Sequence, residues 1–258
     1  MLYTPFDFNE AIGHRQDYVE DRLRDGSPVV GLSYDDGLLL LTVTRSQRKI
    51  FEIYDRLLYS AIGNQSDVEA IRVAAVDVAH REGYERSPDD VTAHRLVGFA
   101  LSPPLKRLFG DQVNAPAVVR AVFGELGPTP AEDAFYVLNY DGEFRRWSRW
   151  AVVAGTAEAE QRAGEVLDGA SDPLGRRDAL SLALRAWSIG AAVGRRAGKD
   201  APEETGDSDV TERAAALLRE ELAHARIEVG LLDRTTTREA KYAVLTDDEI
   251  ASLAAEAG

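Results

Sequence analysis

The order of apolar and polar residues predicts an amphipathic helix over residues 7–24, near the start of the chain. Apolar side chains recur there at spacings of about three and four, which gives one continuous apolar stripe. Asp7 is a suitable N-cap residue, Glu10 follows it by three positions, and Gly26 stands just beyond the last turn. The segment therefore has a predicted beginning and end as well as an apolar face.

Two alternating apolar runs follow this helix and predict a β-hairpin. They are joined at Asp36 and Gly37, a pair that tolerates the positive φ of a tight turn. Runs of the same kind predict strands along much of the remaining chain. The predicted strands cover residues 28–34, 38–44, 48–54, a run ending at 63, 117–126, 134–140, 150–154, 225–232 and 240–245.

Helical spacing of apolar residues returns in six later segments. Ser66 with Glu69 predicts a cap for the first of them, and Pro103–Pro104 predicts a break or kink in the second. The segments are residues 67–82, a helix that opens at 87–90 and resumes at 105–109, 157–167, 173–195, 211–222 and 246–256. Because strands and helices come in blocks, we expect an α+β fold of stacked antiparallel sheets covered by helices. No internal repeat or boundary divides the chain, so residues 1–258 are expected to form one domain.

The stretch 199–209 differs from its surroundings in composition. It is acidic, is interrupted by Pro202 and Gly206, and has no periodic apolar residues. These features predict a mobile loop between two helices.

Composition restricts the classes of partner and site. The chain has 30 basic and 44 acidic residues, a net charge of −14, which disfavours nucleic-acid binding and binding to anionic membranes. It has no cysteine, and its four histidines are far apart in sequence, so no metal site is predicted. No run approaches the ~20 apolar residues of a membrane-spanning helix, and we expect a cytoplasmic protein.

Motifs of known chemistry are missing from the sequence. It contains no Gly-x-Ser-x-Gly elbow, no Gly-x-Gly-x-x-Gly turn and no phosphate-binding loop ending in Gly-Lys-Ser/Thr. Adjacent acids such as Asp35–Asp36 and Asp247–Asp248 fit turns and caps better than a catalytic pair. We therefore predict no catalytic residue and no cofactor.

One ordered set of segments resembles the α-type subunits of bacterial proteasomes. Residues 49–56 and 61–63 are similar to the third and fourth strands of proteasome subunits, where a lysine precedes a turning glycine by fourteen residues. The Ile-Tyr-Asp-Arg sequence and the following Ala-x-Gly fit the bacterial α form best. Further similar segments follow in the same order at residues 81–84, 90–92, 139–142 and 152–155. No single motif is highly specific, but the ordered set of motifs is specific. It covers residues 5–195 and, more weakly, 224–256.

This resemblance implies a fold and a comparison with catalytic relatives. The family fold is a four-layer αββα sandwich of two antiparallel sheets, shared with N-terminal-nucleophile hydrolases. In catalytic β subunits a propeptide is removed before a threonine, and that position falls on Ser27 here. The supporting aspartate falls on Val43 and the supporting lysine on Lys49. Because Val43 is apolar and Pro28 follows the serine, we expect a non-catalytic subunit in which Ser27 begins a strand.

The resemblance also implies binding sites and partners. Lys49, Gly63 and Asn64 would line a pocket between neighbouring α subunits for the C-terminal carboxylate of a ring-shaped ATPase regulator, since an ammonium and free N–H groups favour an anion. The residues before the first helix would form the gate of a seven-membered ring. These residues are Met1, Leu2, Tyr3, Thr4, Pro5 and Phe6. The ring would template and cap a ring of β subunits and admit unfolded protein substrates, and helix 7–24 would contact the neighbouring α subunit through its apolar stripe.

Two alternatives remain open from the sequence. The first is a self-processing, β-like peptidase that cleaves before Ser27 and uses Ser27 with Lys49. The second is a protein of the same fold that acts as a scaffold or binding module without protease partners.

Overall fold

The computed structural model describes residues 5–111, 113–170, 174–196 and 207–257. Residues 1–4 of the predicted gate and residues 199–206 of the predicted acidic loop lie outside the described residues. The last part of that loop prediction is wrong, because residues 207–209 are helical and begin α7 (Asp207–Leu222).

Two five-stranded antiparallel sheets form the centre of the fold. The first contains, in spatial order, β10 (Tyr242–Val244), β9 (Arg226–Asp233), β2 (Gly37–Thr44), β1 (Val29–Tyr34) and β8 (Trp150–Val153). The second contains β3 (Phe51–Tyr54), β4 (Leu57–Gly63), β5 (Val119–Glu125), β6 (Ala134–Asn139) and β7 (Phe144–Trp147). The predicted hairpin is confirmed, since β1 and β2 pair from Tyr34 with Gly37 onward.

The helices lie on the outer faces of these sheets or at their end. They are α1 (Pro5–Leu23), α2 (Gln65–Glu85), α3 (Ala93–Arg95), α4 (Ser102–Gly110), α5 (Ala157–Asp168), α6 (Arg176–Arg196), α7 and α8 (Asp247–Ala257). Short 3-10 turns cover Pro88–Asp90 and Pro130–Glu132.

Three apolar layers hold these elements together. Leu38 and Leu40 of β2 meet Val122 of β5 between the two sheets. Because side chains alternate along a strand, Leu39 and Leu41 point the other way and pack against α5, α6, α7 and α8. Helices α2, α3 and α4 cover the outer face of the second sheet. The predicted αββα sandwich is therefore confirmed.

Helix α1 packs against the body of the sandwich. Val19 and Leu23 are buried in the layer between the sheets. Arg15 donates from Nε to the carbonyl oxygen of Phe109 (2.9 Å) and from Nη2 to that of Leu108 (3.0 Å), at the end of α4. The prediction that the apolar stripe of α1 faces a neighbouring subunit is wrong for Val19 and Leu23, because both are already enclosed within their own chain.

Two predicted helix caps are wrong. Helix α1 begins at Pro5, so Asp7 lies inside the helix and is not its N-cap. Proline suits a first turn, where its missing N–H has no intrahelical acceptor. Asn64, and not Ser66, caps α2, since its side-chain oxygen accepts a hydrogen bond from the Ser66 backbone N–H at 3.2 Å.

The helical segment predicted from residue 87 onward has a different form. Ser87 caps only a 3-10 turn, and the longer helix begins after Thr92, whose hydroxyl accepts the Arg95 N–H. A π-helical stretch (Leu96–Leu101) joins α3 to α4, and Pro103–Pro104 occupy the first turn of α4. The predicted break is absent, because the widened π turn precedes the prolines and the backbone stays helical from 93 to 110.

In the described part of the chain, no helix combines the length and the apolarity needed to cross a bilayer.

Candidate functional site

A cavity of about 610 Å³ opens beside the start of β1 and the end of β2. Its walls are residues 24–28, residues 43–47, the first residue of α2 and one face of α6. The hairpin brings two of these walls together. Because β1 and β2 are antiparallel, the residues before β1 and the last residues of β2 lie at the same end of the strand pair. The volume is in the range of pockets that hold small ligands.

Lys49 contributes the ammonium group of this cavity. Its Nζ lies 3.4 Å from the carbonyl oxygen of Ser27. The Glu228 carboxylate is engaged elsewhere, accepting the backbone N–H groups of Lys49 (3.0 and 3.1 Å) and Ile50 (2.9 Å). Among the described residues, no carboxylate forms an ion pair with Nζ. Desolvation lowers the pKa of Lys49 to about 8, although the charge of Glu228 acts in the opposite direction.

The Ser27 hydroxyl is held by hydrogen bonds. It donates to the carbonyl oxygen of Val43 at 2.7 Å and accepts from the indole N–H of Trp187 at 3.2 Å. The adjoining Thr42 hydroxyl donates to the carbonyl oxygen of Pro28 at 2.7 Å. The contacts that join Ser27 to β2 and α6 thus fix the start of β1, as expected for a structural serine.

Comparison with known proteins assigns the chain to a family. No protein-family model matches the chain. A "Proteasome subunit alpha" of Xylanimonas cellulosilytica is 34% identical over 228 residues, covering 88% of this chain and 85% of that protein. The chain belongs to the proteasome α-subunit family. Its relatives include the "Proteasome subunit alpha" of Actinosynnema mirum, 32% identical over 185 residues (71% of this chain, 69% of that protein). That of Streptomyces coelicolor is 29% identical over 256 residues (98% and 90%).

In this proteasome α-family chain, the position matched to the catalytic aspartate cannot supply a carboxylate. Val43 is 3% exposed, and its side chain packs in the apolar layer between the first sheet and its helices. Only its backbone oxygen reaches Ser27. The side chain has no charge with which to orient Lys49.

Gly63 and Asn64 lie near the Lys49 cavity but do not line it. Gly63 has φ +131°, and a Cβ there would collide with the carbonyl oxygen of Val118. The Asn64 N–H, predicted to be free for an anion, donates to the same carbonyl oxygen at 2.8 Å. Gln65, the next residue, enters the cavity wall. Within one chain, the structure therefore brings Lys49 to Ser27 and not to the predicted N–H groups.

Sequence reasoning missed a charged cluster in the lining of the cavity. The Glu221 carboxylate of α7 accepts a hydrogen bond from Arg45 at 2.9 Å and a second from Arg195 of α6. Burial alone would raise the pKa of Glu221, but the bonds from Arg195 and Arg45 outweigh it and lower the pKa. Arg45 and Glu221 are 176 positions apart, so no local signal could have joined them.

The predicted gate residues fall into two groups. Met1, Leu2, Tyr3 and Thr4 lie outside the described residues. Pro5 and Phe6 form the first residues of α1, so they belong to the helix and not to an extended tail.

Proposed function

We propose that this chain is a non-catalytic ring subunit of a cytoplasmic proteasome that degrades unfolded proteins. Seven copies would form a ring, template and cap a ring of catalytic β subunits, and close the entry pore with residues 1–4. The assembly partners follow from the family of the chain, whose relatives are proteasome α subunits. The seven-fold number and the gate rest on the resemblance alone.

The bonding of Ser27 carries the non-catalytic part of the proposal. An N-terminal nucleophile needs a free amine and a hydroxyl open to substrate. Ser27 instead follows Gly26 in a chain that continues into α1, and its hydroxyl is engaged by Val43 and Trp187. Since α1 is anchored by Arg15 and by buried Val19, the segment before Ser27 resembles a permanent part of the fold and not a propeptide.

Lys49 supports the proposed docking of an ATPase. Its desolvated ammonium faces a cavity and has only a backbone carbonyl oxygen within contact distance among the described residues. An entering C-terminal carboxylate would replace the water that such a charge has lost. We therefore place the docking contact at Lys49, with Gln65 in the lining of the same cavity and with Gly63 and Asn64 shaping the turn before Gln65.

Native mass spectrometry of the full chain co-expressed with its β-type partner tests the ring assignment. We expect full-length chains in a stacked-ring complex, and the same masses for Ser27→Ala. A chain that begins at Ser27, with processing lost in Ser27→Ala, would make it a peptidase. A full-length chain that forms no complex with the β partner would favour the scaffold alternative.

Peptide binding tests the docking site separately. A labelled octapeptide with the C-terminal sequence of the cognate ATPase should bind the assembled ring, and its C-terminal amide should bind at least tenfold more weakly. Lys49→Met should remove this difference, while Lys106→Met, which changes an exposed lysine outside the cavity, should retain it. Equal binding of acid and amide would exclude carboxylate recognition.

A further inference from the structure

The wall of the Lys49 cavity is basic in a chain that is strongly acidic. Its lining contains four basic side chains and two acidic ones, whereas the whole chain has a net charge of −14. The basic residues are Arg24, Arg45, Lys49 and Arg195, and the acidic residues are Asp25 and Glu221. Arg24 is paired with Asp21 outside the lining (3.5 Å), so the excess positive charge left by a carboxylate at Lys49 lies at Arg45 and Arg195, which share the single carboxylate of Glu221.

The basic side chains of the cavity lie at different depths. Lys49 is partly buried, whereas the Arg45 side chain is 68% exposed. Glu221 is only 8% exposed at its side chain and accepts a bond from one nitrogen of Arg45. Since a guanidinium has five N–H donors, this bond orients Arg45 and leaves most of its donors for a further acceptor.

The size of the cavity favours a peptide segment over a single anion. About 610 Å³ is far more than one carboxylate fills, so residues before the terminus would occupy the space between Lys49 and the exposed arginine. A chain end can enter deeply, while upstream residues remain near the mouth.

We propose that the segment docked in this cavity is acidic, with Arg45 recognising a carboxylate side chain a few residues before the C-terminal carboxylate held by Lys49. This inference rests on the proposed docking function and adds a second, separate recognition element. Arg195 shares Glu221 with Arg45 and is a positioning residue. Its removal would free Glu221 to compete for Arg45.

Three octapeptides that differ only at the third to fifth positions from the C-terminus test the inference. These positions carry glutamate, glutamine or lysine, and binding to the assembled ring is measured by fluorescence anisotropy at low and physiological ionic strength. We expect the glutamate peptide to bind about fivefold more tightly than the glutamine peptide, and the lysine peptide to bind most weakly. The difference should shrink as salt rises, because exposed charge pairs are screened.

A matched pair of variants locates the effect. Arg45→Gln should abolish the preference for glutamate, while Arg145→Gln should leave it unchanged. Arg145 is equally exposed (70% at its side chain) and does not line the cavity. Arg195→Gln should reduce the preference without removing carboxylate recognition by Lys49.

The outcomes separate the inference from the docking proposal. Equal binding of the three free-acid peptides, with loss on amidation, would overturn the acidic preference and leave docking at Lys49 in place. A preference that survives Arg45→Gln would also overturn it. Failure of every peptide to distinguish acid from amide would reject the docking proposal and this inference together.

Discussion

A charged group lies beside each end of β1, one fully buried and the other partly buried, but only the first has a charged partner. Near the end of the strand, Asp133 is fully buried and accepts bonds from Ser33 (2.5 Å), Arg234 (2.8 Å) and the Gly127 N–H (2.8 Å). Before the start of the strand, Lys49 has a single backbone contact and an open cavity. A compensated charge stabilises loops, whereas an uncompensated charge beside a cavity is a candidate binding group.

The largest expected effect is at the compensated end. Asp133→Ala should lower the free energy of unfolding by about 3–5 kcal/mol, because Arg234 would stay largely enclosed without its partner. Urea denaturation at pH 7 measures the loss. Asp89→Ala, an exposed aspartate in the turn before α3, should change the stability by about 0.5 kcal/mol or less. A cost for Asp133→Ala as small as that of the control would contradict the comparison.

Replacing the unpaired charge of Lys49 should raise the free energy of unfolding instead of lowering it. Lys49→Met should stabilise the isolated chain at pH 7 by about 2 kcal/mol, less than the roughly 3 kcal/mol that the full pKa shift represents, because Lys49 is partly exposed. The folded-state pKa of about 8 lies below the unfolded value of 10.5, so the unfolded chain binds more protons between these values. The stability of the unaltered chain should therefore rise from about pH 8 to 10.5, and the advantage of Lys49→Met should disappear over the same range. A constant difference across this range would exclude titration of Lys49 as its cause.

The same pKa predicts the pH dependence of ligand binding. A C-terminal carboxylate favours the protonated form of Lys49, so affinity should be constant below about pH 8 and fall above it, by at most tenfold per pH unit. Anisotropy titrations from pH 6.5 to 9.5 measure this dependence. In Lys49→Met, whose affinity is already low, the decline should be absent; an undiminished decline would point to another group.

The smallest expected effect concerns Ser27. Ser27→Ala removes one donated bond and leaves the Trp187 indole N–H without its acceptor, which should cost about 1 kcal/mol in the free energy of unfolding. Thr246→Ala, which removes the hydroxyl that caps α8, is a control of similar expected size at a distant site. An unfolded Ser27→Ala variant would show that the hydroxyl contributes more to the packing of β2 and α6 around Ser27 than we infer.

Local sequence patterns predicted most of the elements but not the contacts that complete the site. The Asp36–Gly37 turn and the leucine run of β2 are visible in sequence because turn geometry and side-chain alternation act over a few residues. Strand β7 was missed, since Phe144–Trp147 carries two arginines and lies at a sheet edge with most of its side chains exposed. Its pairing with β6 depends on tertiary structure and not on a local pattern.

The candidate site likewise contains one residue that could be predicted and several contacts that could not. Lys49 could be proposed because a resemblance fixes its place relative to the following glycine. The bond between Trp187 and Ser27 spans 160 positions and depends on how α6 lies across the first sheet. Likewise, Glu221 becomes part of the site only once α7 is folded beside β2. Such partners carry no signal in the sequence near the residues they contact.

Because of the Arg15 contact, short and long N-terminal deletions should affect the structure differently. Its guanidinium donates to the carbonyl oxygen of Phe109 in the last turn of α4 and to that of Leu108, which also accepts the Asp111 N–H at 3.2 Å. Helix α1 therefore completes the end of α4 from a separate part of the chain. Deleting residues 1–4 would leave this arrangement whole, whereas deleting beyond residue 15 would also expose the end of α4. Only the shorter truncation would remove residues 1–4 without exposing the end of α4.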